Sequence, residues 1–174
     1  MTAPDHVKPD EKPDQAGIVY RSRKPGDIGH IIYRHGVLYA REYGFDETFD
    51  LYVGKPLLTF AENFNPEKEN LWMAEKGSEI LGSMAIVNTD EDIAQLRWLL
   101  VEPQARGLGI GRALVERGIA FCREKAYTSI FLWTIDYLEA AKKIYSGSGF
   151  KKTDNKTSRV WGQTLKEERW ELNL

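Results

Sequence analysis

The chain has 174 residues and a formal net charge of -2, with one cysteine and three histidines. That length suits a single domain with its own core, and the near-neutral charge leaves no overall basic footprint for nucleic acid. Cys122 has no disulfide partner in the chain, and it shows no metal-ligand spacing with His6, His30 or His35, so no metal is expected.

Residues 1–15 are rich in Pro, Asp and Lys and lack the apolar stretch of a signal peptide. They read as a flexible polar N-terminal arm ahead of one domain over residues 16–174. No apolar run is long enough to cross a bilayer, so a cytoplasmic protein without a membrane partner is expected. A strand is predicted over residues 17–23, where Ile18, Val19 and Tyr20 supply β propensity. Pro25, Gly26 and Asp27 offer a turn and a helix start. A first helix over residues 28–43 carries Ile31, Ile32, Val37, Leu38 and Tyr39, is interrupted by Gly36, and stops at Gly44. Asp46 or Thr48 caps a second helix to about Phe64, striped by Phe49, Val53, Leu57, Phe60 and Phe64. Gly54 and Pro56 argue for a break or bend in it.

Residues 71–76 and 79–87 flank Gly77-Ser78 and read as a hairpin. The next strand, residues 93–101, ends at Pro103, which removes a ladder donor. A helix then runs from the glycines at 107–111 to about Lys125. A short strand at 129–134 and a helix at 138–146 follow. Phe150 starts a further strand, and residues 168–174 alternate apolar and polar as a last one. Residues 156–159 and 162–164 read as turns lining a site or as plain connections. Helices first, then a hairpin, then alternating strands and helices indicate one mixed α/β domain.

The sharpest local pattern is Gln104-Ala105-Arg106-Gly107-Leu108-Gly109-Ile110-Gly111, set between an apolar strand and an amphipathic helix. The first turn of a helix has outward backbone N–H groups and a dipole that favours negative charge. Glycines keep side chains out of the way, so a pyrophosphate can sit against the turn, with Arg106 or Arg112 adding a charged contact. A P-loop would need a Gly-Lys-Ser/Thr ending, and a dinucleotide fold would place Gly-x-Gly-x-x-Gly after a first strand. Neither is present. Glycines that only permit close packing remain the alternative.

Residues 99–103 followed by Gln104-x-x-Gly107-x-Gly109 resemble the acyl-coenzyme A signature of the GNAT acetyltransferases, Gln/Arg-x-x-Gly-x-Gly/Ala after a bulged strand. Downstream, residues 140–150 resemble the family's Ala-x-x-x-Tyr-x-x-x-Gly-Phe segment. The two occur in the family order, and the likeness covers residues 71–150 best. Residues 39–44 and 132–134 also resemble acetyltransferase domains fused to MarR-type regulators. No winged-helix segment is among these residues, so DNA binding is not carried over.

The resemblance implies a mixed central sheet, flanked by helices, that opens in a V between the strand ending at Val101 and the strand ending at Thr134. It implies acetyl-CoA as cofactor. Backbone at Leu99, Leu100 and Val101 would bind the pantetheine arm, and Gln104, Arg106, Gly107, Leu108, Gly109, Ile110, Gly111 and Arg112 the pyrophosphate. The implied reaction is acetyl transfer to a primary amine of a small molecule or peptide. A non-catalytic acyl-CoA-binding module is the alternative, and the family's last strand admits a homodimer. Tyr145 aligns with the family's helix tyrosine, placed near the coenzyme sulfur as general acid; packing with a satisfied hydroxyl is its other reading. No acid lies within residues 93–101, where many relatives carry the base, and Glu102 beside Pro103 reads as solvated. Glu42, Asp136 and His35 are the remaining proton-relay candidates. Asp136 is equally a helix N-cap, and His35 equally a packed or exposed side chain. Trp72, Trp98 and Trp133, with Tyr33, Tyr39 and Tyr43, are candidates to wall an acceptor pocket or to pack in the core.

Overall fold

The computed structural model describes residues 12–174, so the expected polar arm lies largely outside the described residues. Strand β1 (Val19–Ser22) leads through a left-handed Gly26 into helix α1 (Asp27–Tyr43). Asp27 at its first turn is buried because Arg21 pairs with it at 2.7 Å. Gly44, at φ 70°, ends α1, its N–H donating to the Ala40 carbonyl.

Helix α2 (Thr48–Glu62) begins where the Asp46 carboxylate accepts the Thr48 N–H at 3.0 Å. The expected break at Gly54 and Pro56 does not occur. Pro56 removes one intrahelical donor on a turn whose Leu51, Tyr52 and Lys55 are exposed, so solvent can take its place. Gly36 does not interrupt α1 either. It lets α2 pack close, since a Cβ there would stand 2.0 Å from Asp50 Oδ1.

Strands β2 (Asn70–Lys76), β3 (Glu79–Asn88) and β4 (Ile93–Val101) form an antiparallel meander. A 3-10 turn at Pro103–Ala105 leads to helix α3 (Ile110–Glu124), then β5 (Ser129–Ile135), α4 (Glu139–Gly147), β6 (Lys151–Val160) and β7 (Gln163–Asn173). The segments over 156–159 and 162–164 therefore belong largely to a long hairpin. Its two-residue turn, Trp161-Gly162, has φ 52° and 80°, as a type I′ turn requires.

The seven strands lie in the order β1-β2-β3-β4-β5-β7-β6, and only β4 and β5 run parallel. Helix α3 packs on one face of the sheet, where Leu114, Val115 and Cys122 meet Met84, Ile86 and Leu96. Helices α1 and α2 cover the other, where Ile31, Phe49, Val53 and Leu57 meet Leu71, Met73 and Trp98. Burial raises the Cys122 thiol to about 12, which keeps it an inert packing group.

Two features shape the centre. Strands β4 and β5 pair only at Ile93↔Ser129, Ala94↔Ile130 and Gln95↔Phe131, so the sheet opens from Leu96 onward. Trp98 adopts φ 52°, and the β3–β4 register shifts opposite it between Ser83 and Ala85. The extra residue exchanges the faces of β4. Ala94 and Leu96 face α3, Trp98 turns toward α2, and Leu99 and Val101 face α3 again.

Candidate active site

Beyond Gln95 the β4 edge has no strand partner, and a cleft of about 630 Å³ runs along it. Leu99, Leu100 and Val101 form one wall, and Leu38, Tyr39, Glu42 and Tyr43 of α1 form another. Its far end is the glycine turn. Gly107 and Gly109 hold φ 84° and 80°, and nothing lies within 4 Å of where a Cβ would stand on either. Left-handed backbone here favours glycine, and the open space above it leaves the amides reachable. The first bond of this helical turn runs from the Ala113 N–H to the Gly109 carbonyl, so the amides of Gly109, Ile110, Gly111 and Arg112 precede it. Gly111 serves packing instead, since a Cβ there would meet Ile144 Cδ1 at 2.8 Å.

Arg106, Gly107, Gly109, Ile110, Gly111 and Arg112 line this cleft. Gln104 and Leu108 do not. Gln104 Nε2 donates to Glu79 Oε1 at 2.9 Å, and the Leu108 side chain is exposed. Glu42 also faces the cleft, with both carboxylate oxygens on Arg106 Nη2, at 2.8 and 2.9 Å. The Tyr43 and Tyr137 rings meet beside it, tilted 38° to each other with centroids 5.5 Å apart. Tyr137 had no sequence signal.

A second cavity of about 130 Å³ lies on the α1–α2 side of the opening. Tyr39, Leu99, Leu138 and Ala141 line both cavities, so the two abut at the splay. Tyr145 lines the smaller one. Burial raises its pKa, as it does that of Tyr39, so both phenols stay protonated at neutral pH. His35 also reaches this cavity. Its Nδ1 lies 2.8 Å from the Ile31 carbonyl, which fixes the N–H there, and burial lowers its pKa to about 4. Trp98 and Trp133 wall the cavity, whereas Trp72 faces α3 with its ring 5.5 Å from Phe121. Tyr33 is exposed.

Asp136 lines neither cavity and does not cap α4, which begins after Leu138 without a side-chain cap. Its backbone carbonyl accepts from Lys142 Nζ at 2.5 Å. Glu102 is not solvated. It is buried and takes a two-pronged bond from Arg34, at 2.7 and 2.6 Å. Among the lining residues of the smaller cavity without a sequence signal for the site are Tyr52, Arg97, Trp161 and Glu167. Tyr52 comes from α2, Arg97 from β4, Trp161 from the β6–β7 turn and Glu167 from β7, so only the fold brings them together.

Among the described residues no group of His, Cys, Asp and Glu is placed to hold a metal, and no helix is long and apolar enough to cross a membrane.

Comparisons agree with this geometry. Residues 38–150 match the model of the Acetyltransferase (GNAT) family. The chain is 31% identical over 131 residues to N-acetyltransferase 8B of Mus musculus, covering 70% of this chain and 53% of that protein. It is 35% identical over 89 residues to N-acetyltransferase 8F1 of Rattus norvegicus, covering 48% of this chain and 40% of that protein. The chain thus spans about half or less of the length of these relatives. Its fold matches yncA of Salmonella typhimurium, solved with its cofactor acetyl-CoA, at a TM-score of 0.72 and 17% identity, covering 91% and 94% of the two chains. With a family model that spans most of the sheet and the glycine turn at its centre, the chain belongs to the GNAT acetyltransferase family.

Proposed function

We propose that residues 16–174 form a single catalytic domain that transfers an acetyl group from acetyl-CoA to a primary amine. The observation that carries this reading is the meeting of two cavities at the splay, one beside an anion cradle and one walled by aromatic rings. The residues fit the coenzyme. The unpaired β4 edge at Leu99, Leu100 and Val101 matches an extended pantetheine amide chain, and the turn at Gly107, Gly109, Ile110 and Gly111 matches a pyrophosphate. Arg106 and Arg112 add positive charge there, with Glu42 holding the Arg106 guanidinium at the mouth.

Acetyl-CoA supplies a thioester carbonyl: the amine nitrogen forms the new C–N bond, the C–S bond breaks, and one proton passes from nitrogen to sulfur. The protein's contribution begins with placement, which makes the encounter effectively unimolecular. In this scheme the proton for the leaving sulfur comes from the Tyr145 hydroxyl, which lines the smaller cavity and which burial keeps protonated. Asp136, outside both cavities, has no step in this scheme. A cytoplasmic setting accords with a lone buried thiol and no disulfide.

The test is thiol release from acetyl-CoA against amines, amino acids and amine-bearing peptides, with Tyr145→Phe alongside. Turnover that falls roughly 100-fold in the variant supports the proton donor. Turnover unchanged in the variant keeps the transferase and removes that role. Tight coenzyme binding without release for any acceptor favours a non-catalytic acyl-CoA-binding module.

A further inference from the structure

Arg97 projects from β4 into the smaller cavity. Its guanidinium lies 4.8 Å from the centre of the Trp98 ring, and among the described residues no carboxylate or carbonyl takes a hydrogen bond from it. A guanidinium carries five donors in a planar fork suited to a carboxylate. Leaving that fork half-buried and unmatched is costly, and burial is the main cause that lowers its pKa.

Glu167 faces the same cavity from β7. It is buried, and its nearest cation is Lys156 at the long distance of 3.7 Å. Arg97 and Glu167 form no ion pair with each other. Both line this cavity together with the Tyr52 phenol. The strand register orders them. Gln95 pairs with Phe131; carried along both strands, this sets Leu99 level with Ile135 to within the bulge, and Ile135 pairs with Glu167. Glu167 therefore stands at the level where the two cavities meet, and Arg97 stands deeper along β4.

Resting on the transferase reading above, we propose that the acceptor is a compact amino acid, its carboxylate held by Arg97 and its amine held by Glu167 beside the thioester. A cation and an anion kept apart across one small cavity complement a zwitterion of matching polarity. The volume of about 130 Å³ is well below that of drug-sized sites, which favours a small acceptor. The indole of Trp98 and the ring of Trp161 flank the space an acceptor side chain would fill.

The proton balance follows. The acceptor ammonium gives one proton to the Glu167 carboxylate, directly or through water, and becomes the neutral nucleophile. After the C–N bond forms, nitrogen loses a second proton to solvent, and Glu167 passes the proton it took to solvent. The leaving sulfur takes a proton from Tyr145, which recovers one from solvent. One proton is released overall per acetyl group transferred. Glu167 thus supplies the base that β4 lacks.

The experiment compares kcat/KM for the common amino acids with their decarboxylated amines and methyl esters, by coenzyme A thiol release. Arg97→Gln, Arg97→Lys and Glu167→Gln are assayed beside the wild type. A second readout is quenching of Trp98 and Trp161 fluorescence when the same compounds are added to the protein–coenzyme A complex. The wild type is expected to prefer at least one amino acid over its amine and its ester by roughly 100-fold. Arg97→Gln raises KM for that amino acid and abolishes the quenching, with coenzyme affinity unchanged as the check on folding. Arg97→Lys restores part of the preference. Glu167→Gln lowers kcat, with coenzyme affinity unchanged. Amines or esters acetylated as fast as amino acids, or a preference intact in Arg97→Gln, overturn this acceptor and leave the transferase standing. No thiol release with any compound overturns both.

Discussion

The Ser83 hydroxyl donates to the carbonyl of Trp98 at 3.0 Å, tying β3 to the one residue of β4 in a left-handed conformation. A bulky side chain at positive φ costs on the order of 1–3 kcal/mol and persists only where its surroundings hold it. This bond is one such hold, and the bulge it secures aims Leu99 and Val101. Ser83→Ala is expected to lower stability by about 1–2 kcal/mol in urea denaturation and to weaken coenzyme binding in calorimetry. A variant of unchanged stability would show that packing alone maintains the bulge.

The glycine turn separates two kinds of glycine. Gly109→Ala strains a left-handed position, by about 1–2 kcal/mol, and puts a methyl into open space over the cradle. Gly111→Ala instead presses on Ile144 of α4 and Val101 of β4. Coenzyme affinity should therefore fall at least tenfold in Gly109→Ala, and thermal stability should account for most of the change in Gly111→Ala. Equal affinity losses would contradict the assignment of the cradle.

Glu42 and Arg106 form a partly exposed pair, so its loss should cost well under 1 kcal/mol of stability. Glu42→Gln is expected to change KM for acetyl-CoA with little effect on the pH profile of kcat. Loss of a titrating limb in kcat would make Glu42 the proton acceptor.

Acid sensitivity has a structural source in His35. Its pKa falls from 6.5 to about 4 because burial penalises the charged ring. Between those values the unfolded chain holds a proton that the folded chain refuses. Stability is thus complete above pH 6.5 and declines as pH falls toward 4, by about 3 kcal/mol in total. His30 is shifted the same way by burial and adds to the trend. Urea denaturation across this window should give a shallower slope for His35→Gln than for the wild type.

The meander and the glycine turn were legible because each carries a local signal. Strand β2 alternates Leu71 and Met73 on one face with Trp72 and Ala74 on the other, and both faces are buried. Strand β6 was obscured because residues 151–157 are exposed and polar, so alternation has nothing to act on. A bulge in the strand before the glycine turn was expected from the family likeness, but no glycine marks Trp98 as its left-handed residue. Glu102 looked solvated because its partner Arg34 is 68 residues away in sequence. Arg97 and Glu167 fall in the same class: neither has a motif, and only the splay between β4 and β5 gives them a common cavity.

The central claim is that an acetyl group crosses the splay from a thioester to an amine nitrogen. The most direct measurement is mass spectrometry of the products formed when the protein is given acetyl-CoA and a mixture of amino acids and amines. The account predicts an N-acetylated acceptor in step with free coenzyme A. Free coenzyme A without an acetylated acceptor, or bound coenzyme with no product at all, would contradict it.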